Sequence, residues 1–426
     1  MVWNHRRLRP VWLALAAVAG CLTTACSGPP GERAAETTSL APSGHLPAVE
    51  LWSPQNGWRE APPAAVTTPR ERWRVPARLD RDGDYATRDG VIAIAERDGG
   101  TATVRRIDPA SGTDMWRVPL PDVAMPAEVA ISPGGSLVAV AGEPTTAVMD
   151  AADGRVVWRG EAGGGLPRVD GLGDLILLSV SDGTAAIDRR TGAILWRTQH
   201  FVEVFGTRLL ADDTAGFSLL DPATGTPVWT KPRELFSDAH VFGDTVLVTQ
   251  DEDGSKDSTT AYNLATGEVR WRTELFDLAR ATITPVDDAT VLITGGNGLA
   301  GNGVYVVTLS TGKVNWQTEG RATTMRVEGQ PYVLNERGDR TEVLRGATGE
   351  LVGTAPPPGD RSTSIAGGAL YLTDFDKIRA VRLPESAGQW EVTLPNRVSA
   401  IVMPIPRGFV AEDHADRVGH LVGYLD

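Results

Sequence analysis

The chain has 426 residues, 41% apolar and 22% charged, which describes a globular protein with a real core, longer than one average domain but within reach of one large all-β unit. Its formal net charge is −13 and no Lys/Arg run follows the first ten residues, so the charge that would neutralise phosphates is missing and a nucleic-acid partner is excluded. Only four of the 41 basic residues are lysine, a skew that points to a GC-rich bacterial genome.

The N-terminus comes first in chain order. "MVWNHRRLRP" carries Arg6, Arg7 and Arg9, "VWLALAAVAGCLTT" is apolar, and "ACSGPP" follows. A basic start, a short apolar run and small residues make an export signal, and the run is too short to span a bilayer comfortably. Both cysteines of the chain stand at its end, and "VAGC" and "TTAC" each resemble the lipobox of bacterial lipoprotein signals. Residues 1–25 are expected to be the signal peptide and Cys26 the lipidated residue, with Cys21 as the alternative. Past Cys26 there is no cysteine, so an exported protein is built here without disulfides and needs a large core. Residues 26–68 read as a flexible tether followed by an extended, proline-broken segment containing Trp52 and Trp58.

From about residue 69 to residue 426 one repeat governs the chain: Asp-x-x-Thr-Gly-x-x-x-Trp. It reads "DPASGTDMW" at Asp108–Trp116, "DAADGRVVW" at Asp150–Trp158, "DRRTGAILW" at Asp188–Trp196 and "DPATGTPVW" at Asp221–Trp229. "NLATGEVRW" at Asn263–Trp271 and "TLSTGKVNW" at Thr308–Trp316 continue it. "RGATGELVG" at Arg345–Gly353 then lacks both Asp and Trp, and "LPESAGQW" at Leu383–Trp390 has shifted spacing. The turn glycines Gly112, Gly154, Gly192, Gly225, Gly267, Gly312 and Gly349 recur about every 39 residues, a propeller-blade period. Between the turns lie short apolar runs such as "GVIAIAE", "SLVAVAG" and "DLILLSV", bounded by Gly, Asp or Asn, which predict strands and not βαβ units.

The residue types follow from the turn. The Asp carboxylate accepts the next backbone N–H groups, Pro109 and Pro222 suit the first central position, and Gly takes the left-handed place that closes the hairpin. The Trp then stands on the returning strand. Trp73, Trp116, Trp158, Trp196, Trp229, Trp271, Trp316 and Trp390 are eight of the twelve tryptophans, one large flat ring per unit to fill the gap between neighbours.

This pattern closely resembles the tryptophan-docking motif of the pyrroloquinoline-quinone-type (PQQ-like) β-propeller repeats. The resemblance implies an all-β propeller of four-stranded blades around a central channel, with each Trp packed between adjacent blades. "RERWRVP", around Trp73, looks like a lone outermost strand, and the last segment looks like three strands lacking a fourth, so pairing first with last would close the ring. Dividing residues 73–426 by the period gives about nine units, whereas propellers usually have four to eight blades. Eight blades are expected, with one terminal unit incomplete or outside the ring.

The same resemblance invites a quinone cofactor. Quinoprotein dehydrogenases of the family use an adjacent cysteine pair, Ca²⁺-binding carboxylates and a catalytic Asp, and no motif here carries them. "GNGLAG" at Gly296–Gly301 matches a dinucleotide fingerprint but is followed by a strand, not a helix. "DRDGD" at Asp80–Asp84 lacks the glycine and the bidentate acid of a Ca²⁺ loop, and "DEDGSKD" at Asp251–Asp257 reads as a solvated acidic turn too. "EDHADRVGH", with Glu412, Asp413, His414, Asp416 and His420, is a weak metal pattern on a turn. No cofactor, metal or catalytic residue is therefore expected. The sequence predicts an exported, lipid-anchored, non-catalytic scaffold that binds a protein, peptide or glycan of the cell envelope, with a dehydrogenase-like or other propeller enzyme as the alternative. The broken unit at Arg345–Gly353 is a candidate contact surface.

Overall fold

A computed structural model describes residues 46–426, apart from 78–82, 143, 162–167, 181–182, 213–215, 233–237, 253–255, 275–281, 296–302, 357–361, 375–376, 385–386, 395–397 and 414–418. The described residues contain strands and turns and no α-helix. Nine antiparallel sheets follow one another along the chain as propeller blades. Blade 1 spans residues 83–124, blade 2 128–161, blade 3 168–198, blade 4 201–232 and blade 5 238–274. Blade 6 spans 282–319, blade 7 321–355, blade 8 362–393, and blade 9 joins 398–425 to the strand Arg70–Pro76.

The all-β propeller and its closure agree with the sequence, but the blade number is nine and not eight. The unit taken as incomplete is whole, because Arg70–Pro76 pairs antiparallel with His420–Leu425, from Arg70 opposite Leu425 to Pro76 opposite His420. That covers the edge of His420–Leu425 and completes the last blade.

Each blade is a meander whose first strand lies innermost. The second and third strands are covered by neighbouring blades on both faces, which is why "VIAIA" and "LVAVA" read as unbroken apolar runs. Alternation still decides which neighbour each residue meets: Val91, Ala93 and Ala95 pack on blade 2, while Ile92 and Ile94 pack on blade 9. Because strands alternate in direction, the connections between strands one and two and between strands three and four fall on one face of the ring. That face carries every Asp-x-x-Thr-Gly turn and is called the turn face below.

Residues 46–69 do more than lie extended on the domain. Val49–Ser53 and Gly57–Glu60 form a hairpin, and Val49–Ser53 adds antiparallel to the innermost strand of blade 7, with Val49 opposite Val327 and Leu51 opposite Met325. Blade 7 thereby becomes a six-stranded sheet.

Candidate functional site

The turns are locally determined. Oδ1 of Asp108, Asp150, Asp188, Asp221 and Asn263 accepts the backbone N–H two residues on, at 2.8–3.0 Å. At Asp188 the N–H and then the hydroxyl of Thr191 hold the carboxyl below its usual range. The turn glycines all have φ near +70°, the region glycine enters without a Cβ penalty.

These turns receive the tryptophans. Six indoles donate Nε1–H to the carbonyl of the second residue of the next blade's turn: Trp73 to Pro109 (3.0 Å), Trp116 to Ala151 (2.8 Å), Trp196 to Pro222 (2.9 Å), Trp229 to Leu264 (2.8 Å), Trp271 to Leu309 (2.7 Å) and Trp316 to Gly346 (2.8 Å). Each ring lies flat on the turn glycine, so close that a Cβ at Gly225 would stand 2.6 Å from Cδ2 of Trp196. Gly225→Ala meets both that clash and a φ of +69°, and should destabilise by more than about 1 kcal/mol in urea unfolding.

Three joints depart from this rule. Blade 9 takes its fourth strand from the N-terminus and so has no such turn. The strap before that strand substitutes for it: Trp390 Nε1 donates to Ala65 O at 2.9 Å, and Ala65 N donates to Tyr371 Oη at 2.9 Å. Burial pushes the Tyr371 phenol up. In blade 7 the Trp place is held by Gly353, and Val352 packs on the apolar cluster that blades 7 and 8 share, which includes Leu372, Val381 and Leu383.

The third departure is Trp158. Its ring lies along its own strand on Gly160, where a Cβ would stand 2.5 Å from Cζ2, a place only glycine leaves open. Nothing of Trp158 touches Gly192; the nearest group to a Cβ there would be Val157 O, at 3.3 Å. Blades 2 and 3 are linked on the turn face instead by an ion pair, Arg189 Nη2 to Asp150 Oδ2, 2.6 Å. Burial would raise the Asp150 carboxyl, but the Ala152 N–H and the Arg189 guanidinium outweigh it and hold the group below its usual range. A carboxyl depressed on folding adds stability above its unfolded pKa, about 3.9, and loses it as pH falls through the folded value. Arg189→Ala should therefore lower the urea midpoint at pH 7, with the difference from wild type vanishing at the acid end of a pH series.

Beside Trp158 opens a cleft of about 530 Å³ between blades 2 and 3, lined by Trp158, Glu161, Leu178, Ala185, Arg197 and Gln199 among others. A smaller one of about 310 Å³ lies between blades 6 and 7, against the docked Trp316.

The mouth of the axial channel on the turn face is occupied by the chain itself. Trp52 of the hairpin packs on Phe242 of blade 5, with centroids 5.4 Å apart. The Arg326 guanidinium of blade 7 lies 4.3 Å from the centroid of Trp58 and 3.3 Å from Asp288 of blade 6. Asn56 and Arg59 are bonded to each other at 2.9 Å and close on Gly134 of blade 2. The hairpin thus bridges blades 2, 5 and 7. Deeper in the channel Arg168 pairs with Asp170 of its own strand and with Glu203 of blade 4, and burial raises the Asp170 carboxyl against the pull of Arg168.

Of the other predicted positions, Cys21 and Cys26, all of "GNGLAG", the first three residues of "DRDGD", the centre of "DEDGSKD", and His414 and Asp416 lie outside the described residues. Among the described residues no cluster of three or more His, Cys, Asp or Glu is arranged to hold a metal ion. Ala65, Gly160, Arg189 and the hairpin are structural positions that the repeat pattern did not identify.

No curated protein sequence matches the chain. Among solved structures, an eukaryotic initiation factor matches 76% of this chain and 90% of its own at 13% identity, with a TM-score of 0.56, a likeness of fold alone. BamB from Moraxella catarrhalis is 18% identical over 72% of this chain and 97% of its own, TM-score 0.47. Quinohemoprotein alcohol dehydrogenase from Comamonas testosteroni is 11% identical over 80% and 79%, TM-score 0.43. The sequence profile of the family described as outer membrane protein assembly factor BamB matches residues 100–215 and 212–369. Those two matches cover well over half of the chain and run through the turn units of blades 1 to 7, so this PQQ-like propeller repeat protein belongs to that BamB family.

Proposed function

We propose that the protein is an exported, lipid-anchored, non-catalytic scaffold that binds a protein partner in the cell envelope. The carrying observation is the hairpin 49–60, which lies over the channel mouth on the turn face and is held there by blades 2, 5 and 7. A ring whose axis is occupied by its own chain has its rim and opposite face left for recognition, and such surfaces bind other macromolecules. Membership of a family described as an assembly factor supports the envelope setting.

Crosslinking in intact cells, followed by purification of the protein, tests the reading. One reproducible envelope partner is expected. Recovery of the protein alone overturns it, as does a saturable rise in thermal midpoint when quinone and Ca²⁺ are added to the purified chain. Intact-mass analysis of membrane-extracted protein should show acyl chains on an N-terminal Cys26; acylated chains beginning at Cys21 would move the anchor, and unmodified protein in the medium would remove it.

A further inference from the structure

The outermost strands of the blades are open β-edges, and they are not equivalent. Asp114–Ala124 of blade 1 contains Pro119 and Pro121, and Pro227–Pro232 of blade 4 is bounded by prolines, which blunt an edge. Val269–Glu274 of blade 5 carries Arg270, Arg272 and Glu274, and Glu391 of blade 8 is tied to Lys377 and Arg379. Blade 6 presents Asn315 and Gln317, and Val157 of blade 2 is buried. Behind Leu351–Ala355 of blade 7 the cleft is smaller, about 310 Å³, and is narrowed by the docked Trp316.

Ile194–Thr198 of blade 3 has the least of these protections, a single charge at Arg197. It contains no proline, Ile194 and Leu195 are 39% and 49% exposed, and Arg197 makes no ion pair among the described residues. It also borders the 530 Å³ cleft. The cross-strand row Leu178, Ala185, Arg197 forms the blade 3 wall of that cleft and ends at the open edge, with Trp158 and Glu161 opposite. A fifth strand would extend this row by one residue, whose side chain would enter the cleft mouth. Blade 7 shows that these sheets accept added strands, since Val49–Ser53 extends it at its other edge.

We propose that the outer edge of blade 3 and the adjoining cleft are a docking site for an extended segment of a partner polypeptide, which adds as a fifth strand, sets an acidic side chain beside Arg197 and an apolar one beside Leu195. The main chain supplies affinity and the cleft supplies selection. The site gives the scaffold function its surface and rests on that reading.

The test uses the full chain in detergent and a display library of random peptides of roughly twelve residues. Selected peptides should carry an apolar and an acidic residue two positions apart. Leu195→Asp and Arg197→Glu should each weaken their binding by at least about tenfold, while Val228→Asp on blade 4 leaves it unchanged. Both altered residues lie at the surface, and an unchanged thermal midpoint checks that the ring is intact. Hydrogen exchange of the 194–198 amides should slow in the complex, which a purely side-chain contact would not produce. Failure to select any peptide, indifference to both substitutions, or unchanged exchange at 194–198 overturns the site. Peptides mapping to another surface overturn this site and leave the scaffold reading standing; that reading falls only with the intact-cell crosslinking.

Discussion

A chain beginning at Ala77 is expected to lose cooperative unfolding and to elute as aggregate, whereas one beginning at Pro62 keeps a closed ring. The shorter chain lacks Arg70–Pro76 and with it Trp73 and Val75, both buried. It exposes the edge of His420–Leu425, whose Leu421, Val422 and Tyr424 are also buried, and it removes the Ala65 carbonyl that receives Trp390. Deleting one core aromatic costs about 3–5 kcal/mol, and the loss here adds a second docked indole and a whole ladder to that, against a domain stability of about 5–15 kcal/mol. The chain beginning at Pro62 retains all of these contacts and forgoes only the hairpin. Circular dichroism melts and size-exclusion profiles of the two truncations separate the outcomes; a cooperative melt from the Ala77 chain would show that pairing of the first strand with the last blade is dispensable.

Trp196→Ala should destabilise the protein by about 3–5 kcal/mol in urea unfolding. The ring is 9% exposed, packs on Gly225 and bonds to Pro222 O at 2.9 Å, so the substitution leaves a cavity between blades 3 and 4 and an unsatisfied carbonyl. Trp196→Phe keeps most of the packing and loses the bond, for which about 1 kcal/mol is the ordinary cost. Binding of a partner at the opposite side of blade 3 should survive the conservative change. A near-zero effect for Trp196→Ala would mean that blades are held by their apolar layers alone.

What the sequence made legible was local chemistry. Asp188, Thr191, Gly192 and Trp196 specify a turn and a returning strand within nine residues, and that unit repeats often enough to declare a propeller. Blade number was harder, because it depends on whether Arg70–Pro76 is a spare strand or the missing partner of a segment some 350 residues away. Trp158 shows another limit. Its repeat position is regular, and its displacement is decided by Gly160, two residues beyond the motif and outside the repeat's own period of attention. The hairpin had a signal of its own: Asn56-Gly57 between Trp52 and Trp58 is a two-strand turn signature, and Gly57 takes φ +68° as that turn requires. The prolines on either side masked it, since Pro54 sits at the turn and Pro62 only after the second strand has ended. Clefts and edges were not legible at all, because they arise from how neighbouring blades stack.

The hairpin also decides how the ring would carry a mechanical load. The chain enters at Leu46, against Gly368 of blade 8, and Ala48 O accepts the Glu328 N–H of blade 7 before the hairpin begins. A pull on the chain ahead of Leu46 therefore reaches the Val49–Ser53 ladder first, then Gly57–Glu60 and the strap, and only last the closing strand Arg70–Pro76. Drawn from that end, the wheel is held at the hub, and the seam in its rim stays slack until the hub has given way.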